Sequence, residues 1–142
     1  MTVAASALGQ GETSPRFKFF EGMKDVDARM AEDWRKLLTH VQASGVEAII
    51  YLSPFHPAYL AGIARHEAHD IELLGDVEAT LRRIAADLRI PVVGSYQPDV
   101  VGCGPEDFYD SIHIHPSCIK RILAGLDGIT ASGHDNPPAG AK

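Results

Sequence analysis

Only two short runs of the sequence have the character of buried β-strands, Val46–Leu52 and Ile90–Tyr96. Both are nearly continuous in apolar residues, as expected for strands that are covered on both faces. A long helical pattern separates them, so the two strands pair in parallel through a right-handed crossover. The sequence therefore predicts an α/β domain with a parallel sheet flanked by helices.

Apolar residues at spacings of three and four predict the helices. In chain order they are Asp25–Ser44, with Asp25 as N-cap; Ala58–His69; Ile71–Leu88, re-capped at Gly75-Asp76; and Ile114–Leu126, with Pro116 in its first turn. Trp34, Tyr51 and Phe55 follow the strand or helix spacing and are predicted core residues. Ile119 and Leu123 are predicted to face inward.

A length of 142 residues suits one domain. Residues 1–16 and 131–142 are small, polar and rich in Gly or Ser, so we predict tails at both ends and a folded domain over residues 17–130. A third strand over Arg16–Phe20 would still leave a narrow parallel sheet. The strand count thus indicates part of a larger fold.

Charge and hydropathy exclude several classes of protein. Thirteen basic residues against nineteen acidic ones give a net charge of -6, and the basic residues are scattered, which argues against a nucleic-acid surface. The longest apolar run, Val46–Leu52, is too short to span a bilayer. The N-terminus has no basic segment typical of a signal peptide, so as written the sequence predicts a cytoplasmic chain. In that compartment Cys103 and Cys118 are expected to be free thiols, and to form a disulfide only if the chain is exported.

The loop before the last helix reads GCGPEDFYDSIHIHPS and places Asp110 three residues before His113. A carboxylate in this position can accept a hydrogen bond from one ring nitrogen and leave the other nitrogen free as a general base. The structural alternative is that Asp110 orders the loop and His113 is a packed, hydrogen-bonded histidine.

The segment FYDSIHIHPS resembles the D-x-x-H block near the C-terminus of SGNH/GDSL hydrolases, which are esterases, lipases and acyltransferases with a flavodoxin-like fold. VEAIIYLSPFHPAY is similar to the strand and Pro-rich turn of periplasmic relatives such as the DltD and alginate-acetylation proteins. The resemblance covers roughly residues 25–126 and matches the second half of such a fold. It implies a partial flavodoxin-like sheet, with His113 as general base and Asp110 as its orienting partner.

The other blocks of that family are missing from the sequence. There is no G-D-S block for the nucleophile and no G-x-N-D block, and the only asparagine is Asn136. The resemblance therefore implies a truncated or split hydrolase that is inactive alone on its small-molecule or glycan acyl ester. A missing N-terminal half or another chain would supply the serine, and a full-length relative could be periplasmic. No cofactor is implied.

Two serines and a histidine at the predicted strand ends are weaker candidates for substrate contacts. Ser53, His56 and Ser95 lie where open α/β sheets bind ligands. Ser53, Ser95 and Ser111 are also candidate substitute nucleophiles, but turn or helix-entry roles explain them better.

Two further classes of function remain open. His113 and His115 with Asp110, and separately His66 and His69 with Asp70, could bind a transition metal. Alternatively, the chain is a non-catalytic α/β module whose exposed sheet edge pairs with a partner or with a second copy in a homo-oligomer.

Overall fold

The computed structural model describes residues 22–130, apart from the side chains of His66 and of residues 127–130. The predicted tails and the predicted strand Arg16–Phe20 lie outside these residues. The elements are α1 (Ala28–Ala43), β1 (Ile50–Leu52), α2 (Pro57–His66), α3 (Ala68–Leu88), β2 (Val92–Gly94), two 3-10 turns (Asp99–Val101 and Pro105–Asp107) and α4 (Pro116–Thr130). This order of helices and strands agrees with the predicted α/β class.

The two strands pair in parallel, as predicted, with Ile50 opposite Val92 and Leu52 opposite Gly94. Each strand has only three residues, so the predicted strands were too long. Gly94 ends β2 with a φ of +84°, and a Cβ at this position would collide with the carbonyl oxygen of Leu52. A glycine is therefore required where the two strands approach most closely.

Helix ends differ from the prediction: α4 spans Pro116–Thr130 and not Ile114–Leu126, α2 ends at His66 and not His69, and two further ends have a visible cause. The N-cap of α1 is Asp27 and not Asp25, because the Asp27 carboxylate accepts the N–H of Arg29 at 2.8 Å. The break between α2 and α3 falls at Glu67, and α3 continues through Gly75 with no new cap. A helical glycine with open space around it is tolerated there at a modest cost.

Two apolar clusters lie on opposite faces of the sheet. On one face α1 and α3 pack together through Leu38, Ile84, Ala85 and Ile90, with Val92 beside them. On the other face α4 packs on β2 through Val93, Phe108, Ile122 and the two cysteines. Because Val92 and Val93 alternate between the clusters, β2 is covered on both faces.

The prediction that Trp34 and Tyr51 are core residues is wrong: they are 45% and 42% exposed. The outer side chains of α4, Ile119 and Leu123, are also exposed and do not face inward. Phe55 is half-buried between the rings of Tyr59 and Tyr96. A sheet of two strands is too narrow to cover every apolar side chain that the helical spacing suggests.

Among residues 22–130, no helix is long and apolar enough to cross a membrane.

Candidate functional site

The Asp110–His113 pair lies on a short hairpin between the second 3-10 turn and α4. Phe108 and Ile114 form an isolated antiparallel bridge at its base, and the N–H of Tyr109 donates to the carbonyl of His113 at 2.8 Å. Phe108 is buried beneath the hairpin, in the cluster that covers β2. The core thus holds the base of the hairpin and leaves its tip at the surface.

Asp110 and His113 are joined by a direct hydrogen bond. The Oδ2 atom of Asp110 lies 2.7 Å from Nδ1 of His113, and Oδ1 accepts the backbone N–H groups of Ile112 and His113 at 2.9 Å. Partial burial alone would raise the pKa of the Asp110 carboxyl, but these hydrogen bonds and the imidazole lower it to about 2. At neutral pH the carboxylate is therefore ionised and accepts a hydrogen bond from the Nδ1–H group.

The other ring nitrogen of His113 is available. The side chain is 70% exposed, and among residues 22–130 no hydroxyl donates to its Nε2 atom. With the proton on Nδ1, the lone pair on Nε2 can act as a base. The arrangement can accept a proton, but within the described residues it lacks a nucleophile to donate one.

Asp107 anchors the hairpin to α4, a role that the sequence did not reveal. Its buried carboxylate accepts the N–H of Gly104 at 3.0 Å and the hydroxyl of Ser117 at 2.7 Å, and it is paired with Arg121. Hydrogen bonds from Ser117 and Arg121 lower the pKa of this carboxyl against the opposing effect of burial. The only signal in the sequence was Ser117 and Arg121 at helical spacing, which is common on exposed helix faces.

Cys103 and Cys118 form a disulfide across the same hairpin, so the expectation of two free thiols is wrong. Both residues are buried against Val93 and Phe108, and their Cα atoms are 5.6 Å apart. This separation is typical of a disulfide. A disulfide therefore joins the two ends of the segment with the Asp–His pair, and the hydrogen bonds of Asp107 hold the segment between them.

His56 lies beside the hairpin, but both of its ring nitrogens are occupied. Nδ1 accepts the N–H of Ala58 at 3.0 Å as the N-cap of α2, and the ring also hydrogen-bonds to the backbone of Pro105. Burial lowers the pKa of His56, and the bond to Pro105 offsets this only in part. Its backbone N–H donates to the carbonyl of Ser111 at 2.9 Å. His56 is therefore a neutral residue that connects α2 to the hairpin.

The three candidate serines do not complete a triad within the described part of the chain. Ser95 is buried, with its hydroxyl donating to Glu78 at 3.0 Å and accepting from the N–H of Gln97. Ser53 is half-buried at the end of β1, and Ser111 supplies the carbonyl that His56 binds. No hydrogen bond joins any of these hydroxyls to His113.

A groove of ≈ 540 Å³ lies beyond the carboxyl end of β2, where α/β sheets bind ligands. Glu78 binds Ser95, the N–H of Tyr96 and the guanidinium of Arg82 along its wall. Arg82 also donates to the carbonyl of Gly94. The polar groups of this wall are already paired with one another, and neither Asp110 nor His113 lines the groove.

The proposed metal ligands are not brought together in the part of the chain that the structure describes, which leaves out the His66 side chain. Among residues 22–130, no group of three His, Cys, Asp or Glu side chains is placed to hold a metal ion. The His115 ring packs against Tyr109, with ring centroids 3.7 Å apart. In the second group, His69 lies 3.9 Å from Glu72.

No family model matches the chain, and no similar protein was found among the curated proteins or the solved structures. The resemblance to SGNH hydrolases therefore depends on the sequence segments around Asp110 and His56 and stays a prediction.

Proposed function

We propose that this chain carries the Asp–His part of an SGNH-like ester hydrolase or acyltransferase. The observation that supports this is the 2.7 Å bond between Asp110 and His113, which leaves Nε2 of an exposed imidazole with a lone pair. The parallel order of β1 and β2, with the pair in the loop after β2, fits the second half of a flavodoxin-like sheet.

In the proposed reaction, a serine from another polypeptide segment attacks the carbonyl carbon of an acyl ester. Nε2 of His113 takes the hydroxyl proton as the new C–O bond forms, and Asp110 stabilises the imidazolium. Collapse of the tetrahedral intermediate breaks the ester C–O bond, and His113 returns the proton to the departing alcohol. The same base then activates water for hydrolysis, or an acceptor alcohol for acyl transfer.

The chain alone is expected to turn over esters slowly or not at all. The resemblance assigns the nucleophile and the oxyanion donors to blocks that this sequence lacks, and these groups supply most of the transition-state stabilisation. Rapid hydrolysis of p-nitrophenyl acetate by the purified chain, abolished by His113→Ala, would show that the site is complete. The disulfide supports an oxidising compartment for this activity.

The Asp–His assignment can be tested without turnover, through the tautomer of His113. Two-bond proton–nitrogen correlation spectra distinguish an imidazole protonated on Nδ1 from one protonated on Nε2. We expect the Nδ1–H form in the wild type and a shift toward the commoner Nε2–H form in Asp110→Ala. His115, whose ring contacts Tyr109, serves as an internal control. An Nε2–H tautomer in the wild type would rule out the general-base role.

A further inference from the structure

The outer edge of β1 has no strand beside it in the described part of the chain. The N–H of Ile50 donates to the carbonyl of Pro91 at 2.9 Å, so Ile50 and Leu52 direct their backbone groups toward β2. Alternate residues of a parallel ladder point in opposite directions. Tyr51 therefore directs its N–H and C=O away from β2, to an edge where residues 22–130 supply no acceptor or donor.

α1 also has an uncovered apolar flank. Met30, Trp34 and Leu37 follow one another at helical spacing and are all about half exposed. Arg35 and Gln42, which bond to α3, lie roughly a third of a turn away around the helix. On the surface of α1, the residues that contact the core lie between the exposed flank and the residues that bond to α3. The flank is thus turned away from α3, and because Ile50 of β1 packs against the core of α1 we infer that the flank lies on the β1 side of the sheet.

The opposite face of β1 is also uncovered. Tyr51 stands beside Val93 in the ladder, on the face where α4 packs, but α4 covers only β2. Ile49, two residues earlier on the same face, is half exposed as well. Apolar side chains therefore border the open edge both above and below the sheet.

We propose that a second copy of this chain binds this edge and forms a two-fold symmetric dimer with a continuous four-stranded sheet. The two β1 strands would run antiparallel about an axis perpendicular to the sheet at Tyr51. An antiparallel hydrogen-bonded pair exchanges both N–H···O bonds, so Tyr51 can pair with Tyr51 of the second copy. The same axis places the two α1 flanks side by side.

The size and character of the surface favour such a self-complementary interface. The exposed apolar side chains at the edge are Met30, Trp34, Leu37, Val46, Ile49 and Tyr51. At about half exposure and roughly 200 Å² each, they offer on the order of 600 Å² per copy. Backbone and rim atoms would bring this close to the ~800 Å² that each partner contributes to a standard interface.

The edge also lacks the features that keep a monomer's edge strand unpaired. Natural proteins protect such edges with lysines, prolines or bulges. Between Val46 and Ser53 the only charged residue is Glu47, and it precedes the paired residues of β1. A flat, uncharged edge with apolar borders is typical of a paired strand.

The test is the oligomeric state of the full chain across a dilution series, measured by sedimentation or light scattering. We expect twice the monomer mass at high concentration and a return to monomer on dilution. Leu37→Glu should weaken association at least tenfold, because it places a charge in the apolar contact. Val100→Glu is the matched control, since Val100 is 68% exposed, against 52% for Leu37, and lies on the first 3-10 turn.

Two measurements on the wild type avoid any folding defect of the variants. Trp34 is the only tryptophan, so its emission should shift to longer wavelength along the same dilution curve. Exchange of the Tyr51 amide should slow at high concentration, whereas that of Leu52, which faces β2, should not change.

A chain that stays monomeric at every concentration with constant Trp34 emission would overturn the dimer and leave the edge to a strand of another polypeptide. A dimer that Leu37→Glu leaves intact, or that Val100→Glu also disrupts, would overturn the assignment of the surface. Neither result affects the tautomer of His113, so the two proposals fail independently.

Discussion

The hairpin with the Asp–His pair and the open edge of β1 are built in opposite ways. A disulfide closes the hairpin segment, and Asp107 holds it with bonds to Gly104, Ser117 and Arg121. The β1 edge has unpaired backbone groups and half-exposed apolar side chains on α1 and β1. The hairpin is held by bonds within the chain, whereas the β1 edge has the exposed groups typical of an interface.

The difference follows from how a narrow sheet can be covered. β2 has β1 on one side and apolar clusters on both faces, so the loop that follows it can be held rigidly. β1 also has one neighbouring strand among the described residues, but its Tyr51 side chain is 42% exposed. Apolar packing is therefore more complete around β2 than around β1.

The largest expected effect on stability comes from adding one methyl group to Gly94, compared with the same change at Gly45. Gly94→Ala combines a left-handed backbone with a collision against the Leu52 carbonyl, so we expect a loss of about 2 to 5 kcal/mol. Gly45→Ala, at the end of α1 near the open edge, has a similar φ of +75° but nothing within 4 Å, and should cost about 1 kcal/mol.

Urea unfolding of the two glycine variants checks this difference. Equal losses would mean that the strands are not as close as the register of Leu52 and Gly94 indicates. A Gly94→Ala variant with wild-type stability would contradict the β1–β2 pairing itself.

Loss of the disulfide should have the next largest effect on stability. Its local effect on amide exchange should be confined to the hairpin. Cys103→Ala/Cys118→Ala removes a cross-link between residues 15 positions apart, which corresponds to about 3 kcal/mol of unfolding free energy. Exchange of backbone amides from Tyr109 to His113 should become faster, whereas that of α1 should change only through the lower global stability.

Reduction of the wild type should produce the same loss as the double variant, and a reductant should have no further effect on the variant. If both forms unfold at the same urea concentration as the oxidised wild type, the cross-link does not stabilise the hairpin.

The features that the sequence predicted are those encoded in neighbouring residues. The periodicity of α1 and α3, the parallel pair of strands and the hydrogen bond between Asp110 and His113 all depend on short spacings. Asp110 reaches His113 because only two residues of a tight turn separate them, and the same turn presents two N–H groups to its carboxylate. Such contacts need no knowledge of the rest of the fold.

The features that it missed depend on distant parts of the chain. The predicted burial of Trp34 and Tyr51 would need further strands beside β1, which the described residues do not contain. The bonds of Asp107 with Ser117 and Arg121 arise only after α4 docks on β2. The disulfide was missed because a choice of compartment, and not the packing of the two cysteines, decided the prediction.

The smallest expected effect concerns His56, which connects the hairpin to α2 on the closed side. Burial lowers its pKa in the folded protein, so near pH 6.5 the unfolded chain binds a proton that the folded chain does not. Stability from this residue is full above that pH and is lost as the pH falls, by at most about 1.4 kcal/mol per pH unit. His56→Asn keeps an oxygen that can cap the N–H of Ala58 and removes the titrating ring.

Urea unfolding of both proteins from about pH 8 down to about pH 5 measures this contribution. At the upper end of this pH range, the difference in unfolding free energy between the two proteins measures the packing lost with the ring. At lower pH, the difference between their slopes of stability against pH measures proton uptake by His56. We expect the variant to lose less stability than the wild type on acidification. Equal slopes would mean that folding does not lower the pKa of His56. Its ring would then be open to solvent or substrate, and the hairpin side would be less closed than the bonds to Ala58 and Pro105 indicate.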